Sequence, residues 1–347
     1  MLSKISLLKY FFKDPDKKSY LKIAKELVVY AWVKKEWPID YFRKSLYKKN
    51  IDNYTEYLSL KQYYSIIESD RILVRDMVDI LENKLSFALF AKAQHIPTPK
   101  TLSYNFGKCF FYNSQNYHIN TPKALKDFFL MVMENSKQNA LFIKPISGVG
   151  GKNCLLLTKQ QLETTGWEAI APRFNHNYIH QEKIEQHPDI NTIYSNAINT
   201  LRVNTFLDKA GAPHIISALM RFGSGNLVTD NESSGGFFVA VNTKNGTLTG
   251  PGQQTIARSG KTYSTHPDTN TKLEGFKIPF IKEALKLCCE TAIKVPTRIV
   301  GWDIAITKLG PVIIEGNYNT SLHMADMAYG GLEKNPTIKT IFKEINE

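Results

Sequence analysis

The rhythm of apolar and polar residues changes once along the chain, near residue 95. Up to about residue 75, aromatic and aliphatic side chains recur at mixed spacings of three and four, as in YLKIAKELVVYAWVKKEW at residues 20–37, with no glycine. That periodicity predicts several helices. Pro15 and Pro38 fall at boundaries, because proline disrupts a helix interior and restrains the residue before it. The helical pattern runs on through residues 70–93, DRILVRDMVDILENKLSFALFAKA, until His95-Ile96-Pro97-Thr98-Pro99 breaks it. From Thr101 onward, short apolar strands alternate with helical stretches: KALKDFFLMVMENS predicts a helix, ALFIKP and NCLLLT predict strands around a glycine loop.

A further run of strands opens near Tyr178, with YIHQEKI, INTLRVNTFLD, PHIISALMRFG and GGFFVAVN, then a helix in PFIKEALKLCCETAIKV and a closing pair of strands. The expected fold class is α+β, with a largely antiparallel second sheet. The expected division is a helical region over residues 1–75, one α+β lobe over 76–177 and a second over 178–347. Two connections, residues 222–234 and 250–275, are long, polar and rich in Gly, Asn, Asp and Ser, as functional or mobile loops tend to be. No solenoid-period repeat is present.

The closing strands, RIVGWDIAITKLGPVIIEGNYN at residues 298–319, hold three oxygen donors: Asp303, Glu315 and Asn317. Glu315 and Asn317 are two apart and share a sheet face. A three-residue turn with Gly310 left-handed would set Asp303 opposite Glu315; a two-residue turn would flip that register. Opposed carboxylates repel unless a cation or proton separates them, and two acids with one amide suit Mg²⁺ or Mn²⁺. An ordinary hairpin with polar residues facing water would show the same pattern.

In residues 140–157, ALFIKPISGVGGKNCLLL, an apolar strand ends at Lys144, passes Ser147, Gly148, Gly150 and Gly151, and re-enters a strand after Lys152. Glycines let backbone amides approach an anion, and the two lysines add charge, so the segment suits a flap over phosphates. It is not a P-loop: Ile146 stands where the first glycine belongs, and Asn153 replaces Ser or Thr. Arg202 and Arg221 lie on strands where a buried arginine needs a partner, which phosphate or carboxylate would supply. The nearby run from Asp230 and Asn231 to Gly236 offers hydroxyl and amide donors, although the same residues make ordinary turns. Among eight histidines only His266 and His323 sit near these features, each read as a local hydrogen-bonding residue; no zinc spacing or nucleophile motif appears.

Composition narrows the class. At 347 residues and 43% hydrophobic there is ample core for two or three lobes. No apolar run approaches the roughly 20 residues of a membrane-spanning helix, and no signal-peptide core or cleavage site is evident, so a cytoplasmic location is expected. Cys109, Cys154, Cys288 and Cys289 form no disulfide framework. Half of the net +12 charge falls in the first 60 residues, which hold 13 Lys or Arg against 7 Asp or Glu. That segment is a candidate contact for a partner protein or the inner membrane face; without a nucleic-acid motif, nucleic acid is disfavoured.

In order, FIKPISGVGGKN, HQEKI, NTLRVNT, MRFG with DNESSGG, and GWDIAIT with IIEGNYN resemble the ATP-grasp enzymes, more narrowly the sugar-transfer-associated ATP-grasp group, across roughly residues 75–330. The resemblance implies two α+β lobes sandwiching ATP. It implies ATP contacts by Lys84 and Lys144, a flap from Ser147 to Lys152, and an adenine-reading segment at Glu182, Lys183 and Ile184. Arg202, Arg221 and Asn231 would face the phosphoryl group or an acceptor carboxylate, and Asp303, Glu315 and Asn317 would hold Mg²⁺. A ribose-binding acid would be Glu185 or Asp189. Asn319 departs from the family's proline after Glu-x-Asn. The implied activity is an ATP-dependent carboxylate–amine ligase that joins an amine or amino acid to a sugar acid through an acyl phosphate, in capsular or other surface-polysaccharide synthesis. A kinase-like phosphotransferase and a non-catalytic nucleotide- or glycan-binding module are the alternatives.

Overall fold

The computed structural model describes residues 4–148, 150–151, 153–164, 167–227, 229–258 and 260–347, with the side chains of residues 4–8 and 169 excepted. The chain forms two compact units. The smaller holds Met77–Glu185 and Val312–Gly316; the larger holds Met1–Asp76, Gln186–Pro311 and Asn317–Glu347.

The smaller unit is built on six strands: β1 Thr101–Phe106, β2 Cys109–Tyr112, β3 Gln115–His118, β4 Ala140–Pro145, β5 Leu155–Thr158 and β6 Tyr178–Glu182. They form one antiparallel sheet in the order β3-β2-β1-β6-β4-β5. The β2–β3 turn places both Asn113 and Ser114 at positive φ, the geometry that matches the twist of a tight hairpin. The helix Pro122–Ser136 starts at Thr121, whose hydroxyl accepts from the Ala124 amide, with proline in its first turn. It buries Leu125, Phe128, Phe129, Val132 and Met133 among Phe110, Leu141, Ile143, Leu157 and Phe174, forming the unit's core.

Two expectations change here. The strand in YIHQEKI does not open the second lobe: β6 lies between β1 and β4, because its apolar run completes the sheet that carries the glycine loop. The helix expected over residues 70–93 is broken into a 3₁₀ turn Arg75–Met77, a short helix Val78–Glu82 and a third helix Lys84–Ala93. Asn83 causes the last break. Its backbone is extended, at φ −89° and ψ 110°, and its side-chain oxygen accepts from the Leu85 and Ser86 amides, which begins a new helix instead of continuing the old one. The amide of Lys84 also donates to the Ile146 carbonyl at 2.9 Å, fixing that helix start against the exit of β4.

The second sheet has β7 Thr200–Leu207, β8 Pro213–Phe222, β9 Phe237–Asn242, β10 Thr247–Gln253, β11 Thr262–Tyr263, β12 Ile299–Thr307 and β13 Gly310–Asn317, in the order β11-β10-β9-β8-β7-β12-β13; all but β13 lie wholly in the larger unit. All pairings from β11 to β12 are antiparallel. Seven of eight residues in β7 and eight of nine in β12 are buried, which requires cover on both faces. The helix Ile281–Lys294 packs on β7, β8 and β12. A second layer joins Ile66 and Ile72 to Phe206, Leu219 and Ile299 and to Leu322, Ile338 and Ile341. The N-terminal helices therefore belong to this unit and do not stand apart. Their own cluster centres on Phe11, Tyr30, Tyr41 and Tyr47. Buried pairs tie them down: Lys18 bonds Glu26 at 2.7 Å, and Lys44 bonds Asp326.

Candidate active site

The glycine loop of the smaller unit is shaped by backbone that L side chains rarely adopt. Gly148, Gly150 and Gly151 have φ of 114°, 77° and 66°. Three such positions within four residues explain the glycine spacing. Lys144 enters the loop from β4 and is 4% exposed. Lys84 reaches it from its helix start: the ammonium donates to the Gly148 carbonyl at 2.6 Å. At the loop's exit stands Cys154, whose thiol burial pushes up; Lys144 and Lys84 pull it down, while Glu315 pushes it further up. Two cations and one acid, distant in sequence, thus act on one point of this loop. Lys152 lies outside the described residues.

The residues of the expected adenine segment have unequal freedom. The Glu182 carboxylate accepts from the Lys100 amide at 2.9 Å, and its own amide donates to the Lys100 carbonyl at 3.0 Å. Lys183 is exposed and Ile184 half-buried. Asp189 sits at the start of a short helix Pro188–Asn191, and Glu185 is exposed.

In the larger unit a buried charge lattice occupies one face of the sheet. Arg202 on β7 stands directly opposite Asp303 on β12. Leu219 pairs with Arg202, and Arg221 lies two residues on, so period two returns it to the same face. Arg202 grips Asp303 through Nε and through Nη2 at 2.9 Å, while Arg221 Nη2 reaches the same carboxylate at 2.9 Å. Arg221 also donates from Nε to the Thr200 hydroxyl at 2.9 Å, and that hydroxyl donates in turn to Asp230. Asp230 further accepts from the Thr200 amide at 2.8 Å and stands 3.4 Å from Arg221 Nε. All four ionisable groups are buried. Two guanidinium groups face two carboxylates, which is how buried charges are sustained.

Asp230 is the lattice acid whose pairing sequence patterning did not foresee, having singled out its neighbour Asn231. Asn231 instead begins a 3₁₀ turn, Glu232–Ser234, and its carbonyl accepts from the Ser234 and Gly236 amides at 2.9 and 3.1 Å. The available signal was charge balance: two strand arginines and one strand aspartate call for a second acid.

Asp303 is thus committed to both arginines in this structure, a role other than that of an acid facing another acid. Asn317 donates from Nδ2 to the Gly301 carbonyl at 3.3 Å. Between β12 and β13 lie only Lys308 and Leu309, with Gly310 at φ 127° as the first residue of β13. Among the described residues no group of three or more His, Cys, Asp or Glu is arranged to hold a metal.

Next to the lattice, Gly301 faces Asn204. A Cβ on Gly301 would lie 2.9 Å from Asn204 Oδ1 and 3.2 Å from Thr320 Cα. Asn204 donates to the Ser217 hydroxyl at 2.9 Å. His266 is fully buried, hydrogen-bonded to the Gly223 carbonyl at 2.9 Å and stacked on Tyr194, a structural role. His323 is exposed on the helix Leu322–Ala328. The four cysteines are free thiols.

A family model described as sugar-transfer associated ATP-grasp matches residues 69–339. No curated protein matches the sequence. Among solved structures, the chain is similar to the ATP-grasp ligase PsnB complexed with minimal precursor, Mg and ADP, at 13% identity over 79% of this chain and 61% of that one, with a TM-score of 0.43. It is also similar to D-alanyl-alanine synthetase A from Vibrio cholerae O1 biovar eltor, at 14% identity over 77% and 66% of the two chains, with a TM-score of 0.41. The chain spans less than two thirds of the length of these structures.

Proposed function

We propose a function from one premise: the chain belongs to the sugar-transfer associated ATP-grasp family, whose model covers most of its length. The protein is an ATP-dependent ligase with the ATP-grasp fold. More narrowly, it joins a carboxylate to an amine, with a sugar acid as the carboxylate and an amino acid or other amine as its partner, in the building of a surface polysaccharide. The cytoplasm is the place where ATP and such precursors meet, and the basic N-terminal helices are the segment suited to a membrane face.

The observation that carries this reading is the gathering at the glycine loop: Lys84 bonded to the Gly148 carbonyl, Lys144 buried beside it, and the Glu315 charge acting on the same thiol. Phosphoryl transfer needs positioning and charge neutralisation more than covalent chemistry. Lys84, Lys144 and the amides of Ser147, Gly148, Gly150, Gly151 and Lys152 would take the phosphates. Glu182, Lys183 and Ile184 would take the adenine. Glu315 and Asn317 would hold Mg²⁺, joined by Asp303; the bound ion would neutralise charge on the phosphate oxygens. Arg202 and Arg221, with Asn231 beside them, would receive the acceptor carboxylate or the transferring phosphoryl group, exchanging part of their contact with Asp303 for it.

In the first step a carboxylate oxygen attacks the γ-phosphorus, the bond to the β–γ bridging oxygen breaks, and ADP leaves. In the second, the amine nitrogen attacks the acyl carbon, phosphate departs with the C–O electron pair, and the nitrogen loses a proton to give the amide. A closed loop would keep water from the acyl phosphate.

The test is a screen of ADP release against sugar acids paired with amines, with product masses read by mass spectrometry. An amide product that requires both substrates is expected. A stable phosphorylated product formed without amine would replace the ligase with a phosphotransferase. Glu315→Ala is expected to abolish turnover with little change in thermal stability; an unchanged rate would remove Glu315 from the site.

A further inference from the structure

The helix Tyr20–Lys34 is apolar on both sides, and only one side is covered by the fold. Its inner face buries Ile23, Glu26, Tyr30 and Lys34. On the opposite side, Leu21, Lys25, Val28 and Trp32 follow one another at spacings of four, three and four, which aligns them in a single stripe. Leu21 is 79% exposed, Val28 71% and Trp32 80%. Just past the helix, Trp37 is 86% exposed. Of the seventeen exposed large apolar side chains among the described residues, nine lie between Tyr10 and Trp37. Single exposed apolar residues are ordinary; a concentration of this kind on one short segment marks a contact surface.

The charges around it say what kind. Lys9, Lys13, Lys25 and Lys35 are exposed in the same segment. Lys22, also exposed there, pairs with Asp52 at 2.9 Å. Of the nearby acids, Glu26 is buried against Lys18, Glu36 accepts from the Lys61 amide, and Asp16 is exposed. The surface is therefore apolar at its centre and cationic around it. A second copy of the chain is disfavoured as the occupant, since a two-fold contact would set these lysines against their own copies. An anionic lipid headgroup layer matches both features: lysines meet the phosphates, and tryptophans favour the boundary between headgroups and acyl chains. No helix among the described residues is long and apolar enough to cross a membrane, so the contact is with the surface.

We propose that the outer face of helix Tyr20–Lys34, with Trp37, docks the protein on a membrane surface rich in anionic phospholipid. The contact is reversible, since a single short face inserts few side chains. It would bring the enzyme to lipid-borne substrate or to other machinery at that surface, and it does not depend on the chemistry at the glycine loop.

The experiment is vesicle sedimentation of the full chain with phosphatidylcholine vesicles containing phosphatidylglycerol, and with pure phosphatidylcholine vesicles, at low and high salt. Binding to the anionic vesicles is expected, weakening as salt rises and at least about tenfold weaker on pure phosphatidylcholine. Replacing Leu21 and Trp32 together by serine is expected to weaken it by about tenfold or more. Lys25→Glu with Lys35→Glu should have a comparable effect. These positions are exposed, so the variants should keep the thermal midpoint and the Mg²⁺-ATP affinity of the parent chain. Three results would each overturn the proposal: no binding to either vesicle, equal binding to both, or a serine-sensitive dimer in sedimentation velocity without vesicle binding.

Discussion

Replacing Asp303 by asparagine separates the two roles that this residue can play. In the structure its carboxylate accepts from Arg202 Nε, from Arg202 Nη2 at 2.9 Å and from Arg221 Nη2 at 2.9 Å. Asparagine keeps one acceptor oxygen and turns an NH₂ group towards a guanidinium, so at least one charge-assisted bond becomes a meeting of two donors. Asp230 still balances Arg221 through Thr200, but Arg202 has lost its opposite charge in a place where both arginines are below one tenth exposed. Breaking a buried pair in this way costs about 3–5 kcal/mol. For a folding unit of this size, each kcal/mol moves the midpoint by about 2–4 °C, so a fall of roughly 10 °C is expected. The assay is thermal unfolding followed by circular dichroism in the presence of a chelator, where no divalent ion contributes. An acid whose main neighbours were other ligand acids would behave in the opposite sense, because neutralising it relieves repulsion. A midpoint unchanged or raised in Asp303→Asn would refute the charge lattice as drawn.

Gly301→Ala should destabilise the larger unit by about 1–3 kcal/mol, because its Cβ would press on Asn204 Oδ1 and the Thr320 backbone; a midpoint equal to that of the parent would contradict the packing. His180 supplies a pH dependence. It is fully buried, and burial lowers its pKa to about 3. Its Nε2–H donates to Asn105 Oδ1 at 3.1 Å, so Nδ1 accepts from the Ser103 hydroxyl at 2.7 Å. Unfolding restores an ordinary value near 6.5, so the unfolded chain binds a proton that the folded chain refuses, and stability is lost as pH falls from about 6.5 towards 3. At about pH 5 the loss is roughly 2 kcal/mol. Urea unfolding at about pH 7.5 and pH 5 should show this difference in the parent chain and lack it in His180→Gln; equal slopes in both would remove His180 as its source.

Much of this fold was legible because most strands are short apolar runs bounded by glycine or polar turns. The antiparallel character of the larger sheet, the glycine loop and the helix Pro122–Ser136 all follow from local pattern. What pattern could not show was pairing across the chain. Asp303 was visible as a strand acid, yet its partners Arg202 and Arg221 come from strands far earlier in the chain, and β7 lies beside β12 only through the fold's topology. Local reasoning set Asp303 opposite Glu315 on the condition of a three-residue turn, whereas two residues separate β12 from β13. The same limit explains β6, which reads as the start of a new series of strands but completes the earlier sheet. It also explains the N-terminal helices, whose apolar faces looked sufficient for a separate region and in fact share a core with Phe206 and Ile299. At Asn83 the miss was local: a capping residue set inside an otherwise helical pattern was overridden by the periodicity around it.

The central claim is that the glycine loop, with Lys84 at its helix start, receives the phosphates of ATP. Isothermal titration of Mg²⁺-ATP into the parent chain and into Lys84→Ala tests it most directly, with thermal midpoints measured alongside. Binding by the parent and an affinity at least about tenfold lower in Lys84→Ala are predicted, for the loss of one charge-assisted contact, at an unchanged midpoint. Equal affinity in the two proteins, or no binding to the parent chain, would contradict it.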